Sequence, residues 1–144
     1  MSTTRSLKYL VNVSWDGESG GEVQMEKFPT FRLDMPVEFG GQGRFLGPEE
    51  LLLSSVGGCL LTTLIWFKKQ MHIISLEGLK VGVEGTWEKL REGYRITKID
   101  AIIKFQVKED ERKKVEKCVE MAKNFCHITR SLEKGIPIEV RTEN

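Results

Sequence analysis

The sequence has few of the residues that build disulfide-bonded or metal-bound scaffolds. Its 144 residues include three cysteines and two histidines. Three cysteines are too few, and odd in number, for the disulfide framework of a small secreted protein, so we expect free or redox-active thiols in a reducing compartment. No metal-ligand spacing surrounds Cys126 and His127, and we therefore expect no metal site.

The chain also lacks an excess of charge of either sign. Lysine and arginine number 22, aspartate and glutamate 21, and the net charge is +1. This balance creates no field that would attract nucleic acid or an anionic membrane, so we expect neither as a partner. The stretch MSTTRSLKYLVNVSWDG has no long apolar run behind a basic start and no small-residue cleavage site. We therefore expect no signal peptide and a cytoplasmic location.

Apolar residues that alternate with polar ones, separated by turn residues, predict strands in several parts of the chain. These runs lie around residues 9–15, 23–25, 31–35, 79–83, 103–107 and 136–140. The glycine-rich stretch VEFGGQGRFLG predicts a loop after the third run. The first two runs, and later the fourth and fifth, predict hairpins.

The most apolar stretch, LGPEELLLSSVGGCLLTTLIWF, predicts a long helix. Pro48 suits the first turn of a helix, and the two glutamates after it suit the positive end of the helix dipole. We expect this helix to extend from Pro48 to about Met71. Its uncharged part only reaches the lower edge of a membrane-spanning length and contains serine, glycine and threonine, which favours a buried central helix.

A helix that is apolar on all sides must be covered by other parts of the protein on all sides. One sheet cannot supply that, and Gly57 and Gly58 are unfavourable inside a helix unless their small size is used. Together with Ser54 and Ser55, they would let a second helix approach closely. We therefore expect a homodimer in which two copies of this helix pack between two sheets.

A second helix is predicted by EDERKKVEKCVEMAKNFC, in which apolar residues recur at three- and four-residue steps. The segment HITRSLEKG predicts a short helical turn closed by Gly135. His127, at the end of the second helix, is expected either to neighbour the site of Cys126 or, more commonly for a histidine at a helix end, to be a favourable C-terminal charge. Strands, a long helix, a hairpin, a second helix and a last strand together predict an α+β fold in a single domain over residues 1–144.

The cysteines differ in their settings. Cys118 falls in the apolar stripe of the second helix and is expected to fill the core. Cys59 follows two glycines, and Cys126 lies beside His127. A reactive cysteine must be a thiolate, and apolar surroundings raise its pKa unless a cation or dipole opposes them. Because Cys59 lies about three turns into its helix, the dipole of that helix is too remote, and a side-chain cation is expected instead. The pattern alone leaves Cys59 open between a core filler and a nucleophile.

The sequence PEELLLSSVGGC, followed by CHITRSL after a charged amphipathic helix, resembles the OsmC/Ohr family of osmotically induced and organic-hydroperoxide-resistance proteins. The likeness extends to the order of elements over essentially the whole chain. It implies an OsmC-like fold in an intertwined homodimer, and a peroxidase that reduces organic hydroperoxides without haem, flavin or metal. It also implies that Cys59 is the peroxidatic nucleophile, Cys126 the resolving thiol and Glu49 the acid that orients an arginine.

In that reaction the Cys59 thiolate becomes a sulfenic acid and then a disulfide with Cys126. An external dithiol, of dihydrolipoyl type in this family, must reduce the disulfide. One branch of the family carries its arginine just after the first strand, where WDGESGG has none. The other carries it in the loop before Pro-Glu, so we expect Arg44 to be the activating arginine. Arg32 is a second candidate, and an ordinary loop cation is the alternative for Arg44.

Two other functions fit parts of the pattern. A hot-dog-fold acyl thioesterase also wraps a sheet around a long apolar helix, but the cysteine pair and the second helix are foreign to it. A non-catalytic protein of the same OsmC-like fold, binding an apolar small molecule at the dimer interface, would explain why the expected arginine is missing.

Helix geometry adds a constraint on any shared site. Glu49 and Cys59 are ten residues apart, which in one straight helix separates them by about 15 Å. Either the first turn unwinds and an arginine bridges the gap, or two antiparallel copies bring Glu49 of one subunit to Cys59 of the other. We expect the second arrangement, with active sites at the dimer interface.

Overall fold

The structure, a computed structural model, describes residues 4–143. The chain divides into two compact units, Met1–Leu51 and Leu52–Asn144. The boundary falls inside the first long helix. That the chain forms a single domain over residues 1–144 stays a prediction.

The first unit is built on a three-stranded antiparallel sheet. Its strands are β1 (Asn12–Trp15), β2 (Gly20–Gln24) and β3 (Phe31–Asp34), in the order β1-β2-β3. β1 is exposed along its whole length, whereas Asp34 at the end of β3 is fully buried. In the glycine-rich stretch after β3, the chain makes one 3-10 turn at Val37–Phe39.

The second unit contains a long hairpin and the helices that pack on it. The elements are α1 (Pro48–Gln70, which begins in the first unit), β4 (Glu77–Leu90), β5 (Gly93–Gln106), α2 (Arg112–Phe125) and α3 (His127–Lys134). β4 and β5 pair antiparallel over nearly their full length. The predicted α+β fold, with antiparallel sheets and a long apolar helix, is confirmed, and α3 ends before Gly135 as expected.

α1 contributes to two buried clusters at different heights along its axis. Val56, Cys59 and Leu60 form the first, with Cys126. Phe67 belongs to the second cluster, together with Val115 and Cys118 of α2. By length and composition alone α1 could also cross a membrane, a test that the core helix of a soluble protein passes as well.

The two glycines of α1 have different surroundings. A Cβ on Gly57 would lie 3.0 Å from Cγ2 of Val83, so this glycine allows β4, and not a second helix, to approach α1. The expectation for Gly57 is wrong in that respect, because the hairpin occupies the space. A Cβ on Gly58 would meet nothing within 4 Å among the described residues. Gly58 therefore remains available to a second helix.

The strand predicted at residues 136–140 is absent. This segment has no regular secondary structure, and Ile136, Ile138 and Val140 are all more than half exposed. A strand needs a neighbouring edge to complete its hydrogen-bond ladder, and no edge within residues 4–143 pairs with this segment. Apolar and polar residues do alternate in this segment, but alternation alone does not provide the neighbouring strand that a sheet requires.

Candidate active site

The structure brings Cys59 and Cys126 into one buried cluster. Cys59 lies in the middle of α1. Cys126 has an extended backbone, with φ −67° and ψ 104°, which ends α2 and begins α3. Both residues are free thiols and almost fully buried, and they pack in the same cluster. These are the two cysteines that the family resemblance pairs in one reaction.

The first turn of α3 faces the sulfur of Cys59. Burial by itself would raise the pKa of this thiol, but the backbone N–H groups of Ile128 and His127 donate to the sulfur and lower the pKa. The Cys126 thiol and the Thr63 hydroxyl also lower it, and the net pKa of Cys59 lies below its ordinary value. The first N–H groups of a helix have no partner within the helix and form its positive end, where they stabilise an anion.

This environment explains what the sequence interpretation missed. The dipole of α1 is indeed too far from Cys59, but a second helix, α3, directs its N-terminus at the sulfur. The signal available in the sequence was the segment CHITRSLEK, in which Cys126 could begin a helix as well as end one. Only tertiary packing places that N-terminus against α1.

The thiol of Cys126 is in a different electrostatic setting. Burial raises its pKa, and negative charge on Cys59 raises it further. Hydrogen bonds with Thr129, whose Oγ1 lies 3.0 Å from Sγ of Cys126, lower the pKa in part, and the net pKa stays above its ordinary value. In this pair Cys59 is therefore the thiol that ionises more easily, and Cys126 is the one that keeps its proton.

His127 also contacts Cys59. Its Nδ1 and Nε2 lie 3.9 and 4.0 Å from the Cys59 sulfur, and the residue is otherwise exposed. Of the two interpretations of His127, the structure supports a neighbour of the site and not a charge at a helix C-terminus, because α2 ends at Phe125 and His127 is the first residue of α3. A cation at that position is unfavourable to the helix itself, but it lies near the thiol.

Cys118 belongs to a different part of the core. It is fully buried in the second cluster, beside Phe67, Ile73 and Val115. Its sulfur lies 3.3 Å from the sulfur of Met71, and burial raises its pKa. The expectation that Cys118 fills the core is confirmed.

Arg44 is held by three carboxylates of the first unit. Its guanidinium donates to Asp34 at 2.8 Å, to Asp16 at 2.7 Å and to Glu18 at 2.6 Å. The buried Asp34 also accepts a hydrogen bond from Ser19, and its pKa is held well below the usual range. These contacts connect the β1–β2 turn to the glycine-rich loop, and they already neutralise the charge of Arg44. Its role as the activating arginine stays a prediction.

Glu49 and Arg32, the other candidates, differ in how well their polar atoms are paired. Oε1 of Glu49 is buried and has no hydrogen-bond partner among residues 4–143. Arg32, on β3, makes an exposed ion pair with Glu22 at 3.7 Å. A buried carboxylate oxygen without a donor is unfavourable. Glu49 therefore has the capacity to accept a hydrogen bond from a group outside the described chain.

An apolar cavity of about 440 Å³ adjoins the cysteine pair. Three of its lining residues, Val56, Leu60 and Thr129, also contact or pack beside the two cysteines. Ile96 of β5 and Leu132 of α3 line another part of the cavity. Within residues 4–143 no group of three or more histidine, cysteine or acidic side chains could hold a metal ion. The cavity thus offers a ligand a largely apolar wall close to the thiols, with the charged residues Lys98 and Glu133 also in its lining.

Comparison with known proteins places the chain in a family. Residues 41–141, more than half of the chain, match the sequence profile of the OsmC-like protein family. An OsmC-like protein from Mycoplasma pneumoniae has a similar fold, with a TM-score of 0.73 and 19% identity over 90% of this chain and 89% of that chain. No curated protein sequence matches significantly.

Two similar structures are named as organic hydroperoxide resistance proteins. The one from Legionella pneumophila has a TM-score of 0.64 and 20% identity over 90% of this chain and 91% of its own. The one from Elizabethkingia anophelis has a TM-score of 0.65 and 16% identity over 88% of this chain and 91% of its own. Identities of this size show a common fold, and together with the profile match they establish that this chain belongs to the OsmC-like protein family.

Proposed function

We propose that the protein is a thiol peroxidase that reduces organic hydroperoxides through Cys59 and Cys126. The observation that carries this proposal is the position of the two cysteines: they lie in one buried cluster at the first turn of α3, where N–H groups of α3 lower the pKa of Cys59 and burial raises that of Cys126. A peroxidatic cysteine must be a thiolate, and a resolving cysteine must bring a proton. The names of the Legionella and Elizabethkingia proteins agree with this chemistry.

The reaction follows from these protonation states. The Cys59 thiolate attacks the terminal hydroxyl oxygen of the hydroperoxide, so that an S–O bond forms and the O–O bond breaks. The products are a Cys59 sulfenic acid and an alkoxide, which becomes an alcohol when it is protonated. The Cys126 thiol then attacks the Cys59 sulfur and displaces water, which leaves a disulfide. The first-turn N–H groups of α3 stabilise the starting thiolate and the charge that develops near it.

An external dithiol must restore the two thiols. The disulfide would accept two electrons and two protons from that dithiol, which itself becomes a cyclic disulfide. A dihydrolipoyl-type dithiol is our proposed reductant, on the strength of the family. Free, buried thiols at both positions suit a reducing, cytoplasmic location, which we include in the proposal.

The substrate class follows from the apolar cavity beside the thiols. Its volume of about 440 Å³ accommodates a hydrocarbon group larger than a hydrogen peroxide molecule. Apolar contacts stabilise a bound ligand by about 25 cal/mol for each Å² removed from water. We therefore propose that the enzyme prefers hydroperoxides that carry an apolar group.

The assembly is proposed to be an intertwined homodimer. Large apolar side chains are exposed in several parts of the chain. Extensive exposed apolar surface of this kind marks an interaction site in proteins. The exposed side chains include Tyr9, Trp15, Trp66, Ile102 and Ile138. The β4–β5 sheet has only two strands, and such a ribbon is marginally stable without further strands or covering elements. A second copy would cover these surfaces and could supply the donor that Glu49 lacks.

A second candidate is a non-catalytic protein that binds an apolar small molecule. The pairing of Arg44 with three carboxylates favours it, because this arginine is then not free to activate a thiol. A hot-dog-fold thioesterase fits less well, since α2 follows the hairpin and the chain belongs to the OsmC-like family.

Hydroperoxide consumption separates these candidates. The purified protein, with a dithiol reductant, is mixed with cumene hydroperoxide, and the loss of peroxide is followed. We expect turnover that is abolished in Cys59→Ser and retained in Cys118→Ser, a matched change at a buried cysteine outside the site. Binding of an apolar probe without any loss of peroxide would support the binding protein instead.

A further inference from the structure

We propose that His127 is a catalytic residue, the cation that pairs with the Cys59 thiolate and protonates the departing oxygen. This inference rests on the proposed peroxidase function. It follows from the position of the imidazole, whose two ring nitrogens lie 3.9 and 4.0 Å from the Cys59 sulfur.

In the described part of its own unit, the imidazole of His127 is the basic side chain that contacts the Cys59 sulfur. Among the described residues of the second unit, no lysine or arginine makes a hydrogen bond with the Cys59 sulfur. The arginine that the family pattern suggested, Arg44, is neutralised by Asp16, Glu18 and Asp34. The α3 amides stabilise the thiolate, but an amide cannot give up a proton to an alkoxide. The reaction therefore needs a proton donor that the backbone does not supply.

The contact suits an ion pair better than a single directed hydrogen bond. Both ring nitrogens are nearly equidistant from the sulfur, and an imidazolium shares its positive charge between them. An opposite charge within about 4–6 Å lowers a thiol pKa by one unit or more. Because His127 is exposed, solvent can return a proton to it after each turnover.

Two charged side chains, Lys98 of β5 and Glu133 of α3, line the adjoining cavity, and neither makes an ion pair with His127. From α1 the Cys59 thiol faces it, and from the α2–α3 junction the Cys126 thiol lies next to it in the chain. On α3 itself the nearest charged residue in sequence is Arg130, one turn further on. His127 makes no ion pair with a carboxylate among residues 4–143. Within the described residues, the Cys59 thiol is the ionisable side chain that contacts the His127 ring.

The proposed step balances without any further reactant. The Cys59 thiolate attacks ROOH, the S–O bond forms, and the O–O electron pair leaves with the distal oxygen as an alkoxide. The His127 imidazolium gives its proton to that alkoxide, so the products are Cys59 sulfenic acid, ROH and neutral imidazole. Sulfur is oxidised by two electrons, and the peroxide is reduced by the same two.

The first test measures the thiol without any peroxide. In a Cys118→Ser, Cys126→Ser background only Cys59 can react with iodoacetamide, and the second substitution keeps a hydroxyl donor next to the Cys59 sulfur. We expect His127→Asn to slow alkylation at pH 7 by about tenfold, one pKa unit, and to shift the rate-pH midpoint upward. His127→Arg should restore most of the rate. The matched control is His72→Asn, at the protein's other histidine, whose φ of 53° asparagine tolerates.

The second test uses the reciprocity of the pair. An interaction between the thiolate and the imidazole is mutual, so removing the thiolate must also alter the imidazole. In NMR spectra of the full-length protein at pH 7, the ring signals of His127 should differ between wild type and Cys59→Ser, and those of His72 should coincide. Coincident His127 signals, or equal alkylation rates in His127→Asn and the control, would overturn the proposal. Neither readout requires peroxidase activity, so failure of the proposed function is recognised separately.

Discussion

Cys59 and Cys126 lie in one buried cluster, yet the pKa of the first is lowered and that of the second is raised. The difference arises because Cys59 faces the backbone N–H groups at the start of α3, whereas Cys126 is buried beside the charge of Cys59. Two buried cysteines thereby differ in how readily they ionise, which suits them to different roles. A symmetric pair would give no reason to assign one as nucleophile and the other as proton-carrying partner.

The Arg44 cluster makes a prediction about acid stability. The pKa of Asp34 is lowered chiefly by its hydrogen bond with Arg44, so the folded state holds this carboxylate's proton less tightly than the unfolded state does. The resulting stability is fully present above about pH 5 and is lost progressively between about pH 5 and pH 1. Arg44→Met should lower Tm by about 5 °C or more at pH 7, because it leaves Asp34 buried without its cation.

The gap in Tm between wild type and Arg44→Met should narrow between pH 5 and pH 3, as measured by circular dichroism. The pKa of Glu111 is also lowered, to about 2, chiefly by the Ser75 hydroxyl. Its effect on the pH dependence of Tm is the same in both proteins and therefore cancels in the difference between their Tm values. Cys59 alkylation at pH 7 should be unchanged in Arg44→Met. A large loss of thiol reactivity in a folded variant would instead assign Arg44 the activating role.

The apolar cavity predicts which substrates are affected when it is filled. Ala101 lines this cavity from β5. We expect wild type to prefer cumene hydroperoxide over hydrogen peroxide by tenfold or more in kcat/KM, and Ala101→Leu to raise KM for the organic substrate alone. Steady-state kinetics with both peroxides measure this. Equal effects on the two substrates, or a preference for hydrogen peroxide, would contradict the assignment of the cavity.

The two glycines of α1 predict different effects on assembly. Gly58→Leu places a large side chain where the single chain has open space, so it should weaken the homodimer at least tenfold while the protomer stays folded. Gly57→Ala should instead lower thermal stability, because its Cβ would crowd Val83, with little change in dimer affinity. Sedimentation equilibrium gives the affinities. If Gly58→Leu dimerises like wild type, Gly58 is not at the helix–helix contact.

The distance between Glu49 and Cys59 along α1 predicts sites shared between subunits. Both residues belong to one helix, and a rise of about 1.5 Å per residue keeps them too far apart to meet within one copy. Cys59→Ser and Glu49→Ala proteins should each be inactive. When their subunits are exchanged, a mixed dimer should regain one complete site. Absence of recovery despite exchange proven by native mass spectrometry would mean that each site is built within one chain.

The elements that depend on local sequence were predictable. Pro48 and the two glutamates set the start of α1, and the apolar run set its length, so its bounds agree with the expectation to within one residue. The segment at residues 136–140 failed because a strand depends on a partner edge as well as on its own alternation. The end of α2 at Cys126 and the short helix after it agree with the expectation, whereas the contact of that helix with Cys59 depends on packing that the sequence does not show.

The candidate site was predictable in its residues but not in its electrostatics. Motif resemblance singled out Cys59 and Cys126 without showing what lowers the pKa of Cys59. The answer lies in α3, whose first turn is far from Cys59 in sequence and reaches it only through packing. The pairing of Arg44 could not be predicted either. Its partners Asp16 and Glu18 lie more than 20 residues earlier in the sequence, and in the folded chain they neutralise the charge that we expected to act on a thiol.

The central claim is that Cys59 reacts with a hydroperoxide and that Cys126 resolves the product. The most direct test is mass spectrometry of the reduced, full-length protein after one equivalent of cumene hydroperoxide, with peptide mapping under non-reducing conditions. The account predicts a Cys59–Cys126 disulfide, a mass loss of about 2 Da for its two protons, a free Cys118, and a stable Cys59 sulfenic acid when Cys126→Ser is treated in the same way. A bridge that involves Cys118, or a protein whose thiols all remain unmodified, would contradict it.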